Sequence, residues 1–226
     1  MSLLVPPRRP ARELLDEEIA PADAHASLRD IEWVHRRLGG RRMVRGRLAP
    51  LFAELGPGPL TVLDVGCGSG HVGRDLVEAP LDGSAPAAFG VDVKVSHLRL
   101  APRGLAVAGD AARLPLASRS VDVVLSTLFL HHFAPEGLAL VLAESARVAR
   151  RAVVAFDLAR SRTALAAISV VGPLFFRSRV SIADGPASVR QAYTPREARE
   201  IAERSLPGAR VVPAGPFVWQ LVWRRA

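Results

Sequence analysis

Val62-Leu63-Asp64-Val65-Gly66-Cys67-Gly68-Ser69-Gly70 is a short apolar strand running into a turn with three glycines. Such a turn lets the backbone reverse sharply and lets a ligand approach with no side chain in the way. In the dinucleotide fingerprint G-x-G-x-x-G the third glycine would fall at position 71, which here is His71. The third glycine is instead Gly70, one residue early. The spacing therefore points to a nucleoside ligand without a pyrophosphate.

Outward from this turn, short apolar runs alternate with helical patterns from Leu60 onward, the signature of βαβ units around a parallel sheet. Strands are expected over 60–65, 88–93, 105–108, 121–126 and 152–156, and helices over 69–78, 95–101 and 135–149. Upstream, Leu28, Ile31, Val34 and Leu38 keep a helical spacing up to Gly39-Gly40. Val44, Leu48, Leu51, Phe52 and Leu55 do so up to Gly56, with Pro50 expected to kink or restart that helix. Residues 1–58 are read as a helical N-terminal cap and 59–226 as a Rossmann-like domain. The stretch 160–190 is too long for an ordinary connection and is expected to carry a helix and to serve as a substrate lid. Thr194-Pro195-Arg196-Glu197 offers a cap, a first-turn proline and a capping-box glutamate for a helix to about Ser205. Two closing strands follow. In the last, Phe217, Trp219, Leu221 and Trp223 should share one face, and Val218, Gln220 and Val222 the other.

Two acids extend the glycine signal. Asp92 ends the second strand, where a carboxylate can hold both ribose hydroxyls, and Asp110 ends the third, placed to accept from an adenine amino group beside the Ala111 amide. Asp64 would suit a cationic sulfonium and ammonium. S-adenosylmethionine carries a ribose, an adenine and both cations, and no pyrophosphate.

Together, Leu63 to Gly70, Gly90-Val91-Asp92, Gly109-Asp110-Ala111, Leu114-Pro115, Ser120-Val121-Asp122-Val123-Val124 and Leu130-His131-His132-Phe133 resemble the motif series of class I methyltransferases, closest to the quinone-biosynthesis (UbiE-like, type 11) flavour. The resemblance covers about residues 60–156. It implies a seven-stranded, mostly parallel sheet with an antiparallel last strand and S-adenosylmethionine as cofactor. It implies a binding set of Asp64, Gly66, Cys67, Gly68, Asp92, Val93, Asp110, Ala111 and Thr127. The Lys-Pro-Gly-Gly turn usual in quinone methyltransferases is missing after Arg147, which speaks against a quinone acceptor.

Methyl transfer needs alignment and a dry site, and an oxygen or nitrogen acceptor also needs its proton removed. His131 and His132 follow the fourth strand and are the candidate bases, His131 slightly preferred. No metal is expected, because adjacent histidines should diverge and no acidic or cysteine partner has ligand spacing. Trp33, His35, Phe129, Phe133, Phe175 and Phe176 are possible walls for a flat acceptor. Asp157, Arg160, Asp184 and Tyr193 are polar candidates at the same mouth, with surface ion pairing as their blander reading.

The chain of 226 residues, 49% hydrophobic and 23% charged, reads as one soluble globule, and its net charge of +8 comes almost wholly from scattered arginines. No basic run suggests a nucleic-acid partner, and the fourth strand lacks an Asn/Asp-Pro-Pro-Tyr segment for gripping a base. Cys67 is the only cysteine, Met1 to Pro10 does not read as a signal peptide, and the longest apolar stretch, Ala164 to Phe176, is too short to span a membrane. A cytoplasmic enzyme methylating a hydroxyl of an aromatic or polyketide-like small molecule is expected. The alternatives are carbon methylation, a nucleic-acid methyltransferase, and a module that binds the cofactor without turnover. Oligomeric state is left open.

Overall fold

The computed structural model describes residues 5–81, 85–102 and 105–226, so the first four residues of the N-terminal stretch lie outside them. Its centre is a seven-stranded sheet in the order β3-β2-β1-β4-β5-β7-β6. The strands are β1 (Thr61–Val65), β2 (Ala87–Asp92), β3 (Ala106–Ala108), β4 (Val121–Thr127), β5 (Ala149–Leu158), β6 (Arg210–Gly215) and β7 (Val218–Arg224). β1 pairs in parallel with β2 and β4, as β2 does with β3 and β4 with β5. β7 is antiparallel to both β5 and β6, as the resemblance implied.

Strand alternation sends residues to two cores. Leu63, Val124, Val153, Ala155, Trp219 and Leu221 pack against helices α5 (Pro135–Val148) and α8 (Pro195–Ser205). Val62, Val123, Leu125, Val154 and Phe156 pack against α2 (Gly40–Leu55) and α3 (His71–Glu78). The facing predicted for the last strand holds for Trp219 and Leu221 against Val218 and Val222. α2, which the boundary at residue 58 assigns to the cap, thus shares its core with the sheet. Helix α1 (Pro21–Arg37) lies outside it, and α4 (Val95–Leu98) follows β2.

Three expectations are corrected. α2 runs unbroken through Pro50; both Pro50 and Gly46, whose carbonyl loses its donor, are exposed, so the lost bond leaves no buried polar group. β5 begins three residues before the expected 152, because Ala149 already pairs with Val121. The insertion holds two helices rather than one, α6 (Arg162–Phe175) and α7 (Arg179–Gln191). Ser161 and Ser178 cap them, and the buried Asp30 of α1 accepts from the backbone of Arg177 and Ser178, pinning the turn between them. The capping box at Thr194 and Glu197 forms as read.

Candidate active site

All three glycines of the first turn have positive φ: Gly66 at 71°, Gly68 at 52° and Gly70 at 69°. At Gly66 a Cβ would lie 2.3 Å from the ring of Phe129, so this position also needs glycine for space. The amides of Gly66 and Cys67 both donate to the Val91 carbonyl, at 2.8 and 3.1 Å. The Cys67 thiol points into the sheet against Gly90, and burial pushes its pKa up, so any ligand role is left to its backbone.

Asp92 closes the turn from the next strand. One carboxylate oxygen accepts from Gly68 N at 2.9 Å and the other from Lys94 N at 2.8 Å. Burial opposes its charge, but His97 and these two amides outweigh it and hold its pKa below the ordinary value. Asp64, wholly buried beside it, is in the opposite state: burial, then the charge of Asp92, raise its pKa to about 7. A buried acid next to a buried carboxylate is a place for a cation. The buried hydroxyls of Ser126 and Thr127, at the end of β4, have no hydrogen-bond partner. Asp110 is exposed and caps its own turn through Ala112 N, while Ala111 is buried and Val93 presents an apolar side chain to solvent. An acid, two unpartnered hydroxyls and a glycine cradle at adjoining strand ends fit the sulfonium, ammonium and ribose of S-adenosylmethionine.

Beyond β4 the backbone turns through Leu128, a non-glycine residue at φ 54°. Such a conformation costs of order 1–3 kcal/mol and persists only where surrounding structure enforces it. Here Leu128 N is held by the Phe156 carbonyl at 2.8 Å. The turn delivers Phe129 onto Gly66 and His131 onto the end of β5. His131 Nδ1 lies 2.6 Å from Asp157 Oδ1, and its amide donates to the other carboxylate oxygen at 2.8 Å. Its Nε2 faces Glu13 Oε1 at 3.4 Å. Burial works against a charged imidazole, but Asp157 and Glu13 outweigh it and raise His131 to about 10. Glu13 is the reciprocal case: burial is overcome by His131, His132 and Ser188, and its pKa falls to about 2.

The mouth is closed by an N-terminal strap, which falls within the expected cap but is largely extended rather than helical. Glu13 accepts from Ser188 Oγ at 2.7 Å and Gln191 Nε2 at 2.5 Å; Asp184 accepts from the amides of Leu14 and Leu15; Asp16 pairs with His132 at 2.9 Å. Further upstream, Arg8 donates to the Phe133 carbonyl and Arg160 to that of Pro6. Between the strap, α1 and the start of α4 lies a cavity of about 360 Å³ lined by Leu15, Ile19, Lys94 and His97, of small-ligand size.

Asp157, Arg160, Asp184 and Tyr193 are all buried, so the surface-pairing reading of them is overturned; each is tied into this closure. Adjacent histidines do not diverge as expected: the rings of His131 and His132 stack at 4.3 Å, and with Glu13 their ligand-type atoms converge within 4.8 Å. Those atoms are already partnered, Glu13 accepting from Ser188 and Gln191 and each imidazole donating to a carboxylate, which makes it a hydrogen-bonded ion cluster. Phe129 and Phe133 meet edge to face beside it. His35 does not belong here, being buried against His71 and Asp75 under α3. Trp33 and Phe175 stack on the outer surface instead. No signal in the sequence could have found Glu13, whose partners lie more than 110 residues away.

Residues 62–152 match the family described as a methyltransferase domain. Among solved structures, the chain is similar to a SAM-dependent methyltransferase from Aquifex aeolicus (TM-score 0.54, 19% identity, covering 80% of this chain and 93% of that one). It is similar to magnesium protoporphyrin IX methyltransferase from Synechocystis with bound SAH (0.56, 20%, 84% and 85%). It is also similar to the plantazolicin methyltransferase in complex with a triazolic desmethylPZN analogue and SAH (0.65, 14%, 89% and 90%). At these identities the likeness carries the fold. A comparison with curated proteins gives no match. The domain match, the strand order and the glycine turn together show a methyltransferase domain over residues 62–152 within a class I methyltransferase fold, with S-adenosylmethionine as its methyl donor.

Proposed function

We propose that the protein methylates a hydroxyl of a small, flat acceptor of aromatic or polyketide type, with His131 handling the proton. The observation that carries this reading is the buried Asp157–His131 pair, 2.6 Å apart at the ends of β4 and β5, beside Phe129 and Phe133. Two structural relatives with bound SAH are described as the methyltransferases of magnesium protoporphyrin IX and of plantazolicin, which supports a small-molecule acceptor here.

S-adenosylmethionine supplies an electrophilic methyl as a sulfonium. In this reading Asp64 balances its positive charge, Asp92 takes the ribose hydroxyls, and Val93, Asp110 and Ala111 bound the adenine. Gly66, Cys67 and Gly68 offer backbone, and Thr127 stands near the methyl. The Phe129 ring on Gly66 separates this half from the acceptor half. Asp157 fixes His131 with Nε2 turned toward the acceptor. While Glu13 faces Nε2, His131 is an imidazolium and cannot take a proton. Displaced by the acceptor hydroxyl, Glu13 would take the Nε2 proton with it, and the neutral imidazole, still held by Asp157, would accept the hydroxyl proton as the methyl is transferred. His132, partly exposed and paired with Asp16, holds the strap.

The test is His131→Ala, expected to lower turnover by roughly a hundredfold with cofactor affinity unchanged, as for an interaction made in the transition state. His132→Ala should do less. A His131→Ala enzyme that keeps most of its rate would move the reading toward an already ionised acceptor or a carbon nucleophile.

A further inference from the structure

The apolar run Ala164 to Phe176 is not consumed by the fold. Ala164 is buried, and Ile168 packs where a Cβ on Gly185 of α7 would come within 2.9 Å, so α6 has an inner face. Its outer face remains in solvent. Val170 is 69% exposed, Leu174 78%, and Val171 and Phe175 about 40%. Ala166, Val170 and Leu174 repeat every fourth residue and form one stripe. Trp33 of α1 extends the patch, stacked on Phe175 with ring centroids 5.6 Å apart. Isolated exposed apolar residues need no explanation, but a contiguous patch with aromatic members marks an interaction site.

The rim identifies the partner. Arg162 precedes the stripe by one turn, Arg177 and Arg179 follow it, and Arg29 and Arg37 flank Trp33 one turn to either side. All five are exposed, and among the described residues none is in an ion pair. From Ala159 to Ala183 the chain has no acidic residue. A second copy of the chain would be a poor occupant, because a twofold contact through this face would set the same arginines against one another. Among the described residues no helix is long and apolar enough to cross a membrane, and an apolar stripe rimmed by arginines has the make-up of a face that lies on one.

We propose that the outer face of α6, with Trp33 and its arginine rim, docks on an anionic lipid surface. Leu174, Val170 and the two aromatic rings enter the headgroup boundary while the guanidiniums pair with lipid phosphates. The same insertion roofs the acceptor mouth through α7, so the docked enzyme presents that mouth near the bilayer.

Co-sedimentation with vesicles tests this, using phosphatidylcholine alone and phosphatidylcholine mixed with phosphatidylglycerol. The intact chain should pellet with the anionic vesicles, far less with the neutral ones, and be released by added salt. Val170→Asp combined with Leu174→Asp should weaken partitioning at least tenfold, and Arg177→Gln and Arg179→Gln by about fivefold each. Because these positions are exposed, the melting temperature and cofactor affinity of the variants should match the parent. Absence of binding to anionic vesicles overturns the proposal. So does a dimer in light scattering that Leu174→Asp dissociates while vesicle binding is nil.

Discussion

Replacing Glu13 by Gln tests the link between the strap and the chemistry. Gln keeps the shape of Glu and can still accept from Ser188 and Gln191, but it removes the negative charge that sits 3.4 Å from His131 Nε2. At that distance, with an effective dielectric constant of about 20, the charge is worth at most about 5 kcal/mol to the imidazolium. Spread of charge over both groups and relaxation of the strap reduce this to roughly 2–3 kcal/mol, or about two pKa units. Both side chains are almost fully buried, so solvent screening removes little more. His131 sits at about 10 in the parent and should fall to near 8 in the variant, by the roughly two-unit shift just derived. If the rate needs neutral His131, turnover against pH should rise with a limb that lies about two units lower in Glu13→Gln, and at neutral pH the variant should be faster. The assay is transfer of labelled methyl across the pH range at saturating cofactor. A limb at the same pH in both proteins, with activity retained, would refute the reasoning.

Other outcomes follow from the same geometry. Asp64 titrates near 7, and a bound cation favours its ionised form, so S-adenosylmethionine affinity should weaken as pH falls below about 7, which calorimetry at several pH values would read. Asp92→Ala should weaken cofactor binding by about 2 kcal/mol, roughly thirtyfold, by removing charge-assisted bonds and loosening the glycine turn; an unchanged dissociation constant would leave Asp92 a turn residue only. Because the folded pKa of His131 is raised, the stability from its ion pairs is complete below about pH 6.5 and is lost as pH rises toward 10. Thermal melts should show that decline in the parent and a smaller one in His131→Asn. The stability that Glu13 contributes is present above about 4.5 and is lost as pH falls toward 2.

The glycine turn, the alternation of strands and helices, and the acids at positions 64, 92 and 110 were legible because each is local. A strand end, a turn and a cap are set by a few consecutive residues. Asp157 was visible only as a polar residue after a strand, and its neighbour in sequence says nothing of His131, which the β4–β5 pairing brings to it. Pro50 illustrates the converse: a rule about local backbone yielded to a helix packed on the sheet through Val44, Leu48, Leu51 and Phe52, with Pro50 on its opposite, exposed face.

By itself the sequence determined the class of fold and the cofactor, and it pointed to the strand ends proposed to carry it, since periodicity and glycine spacing encode backbone geometry over short range. Only the tertiary structure decided the charge state of the catalytic candidate and the closure of the site. Glu13, His131 and Asp157 come from a strap, a turn and a strand more than 20 residues apart in the chain. Their pKa values arise from distances and burial that no local pattern records.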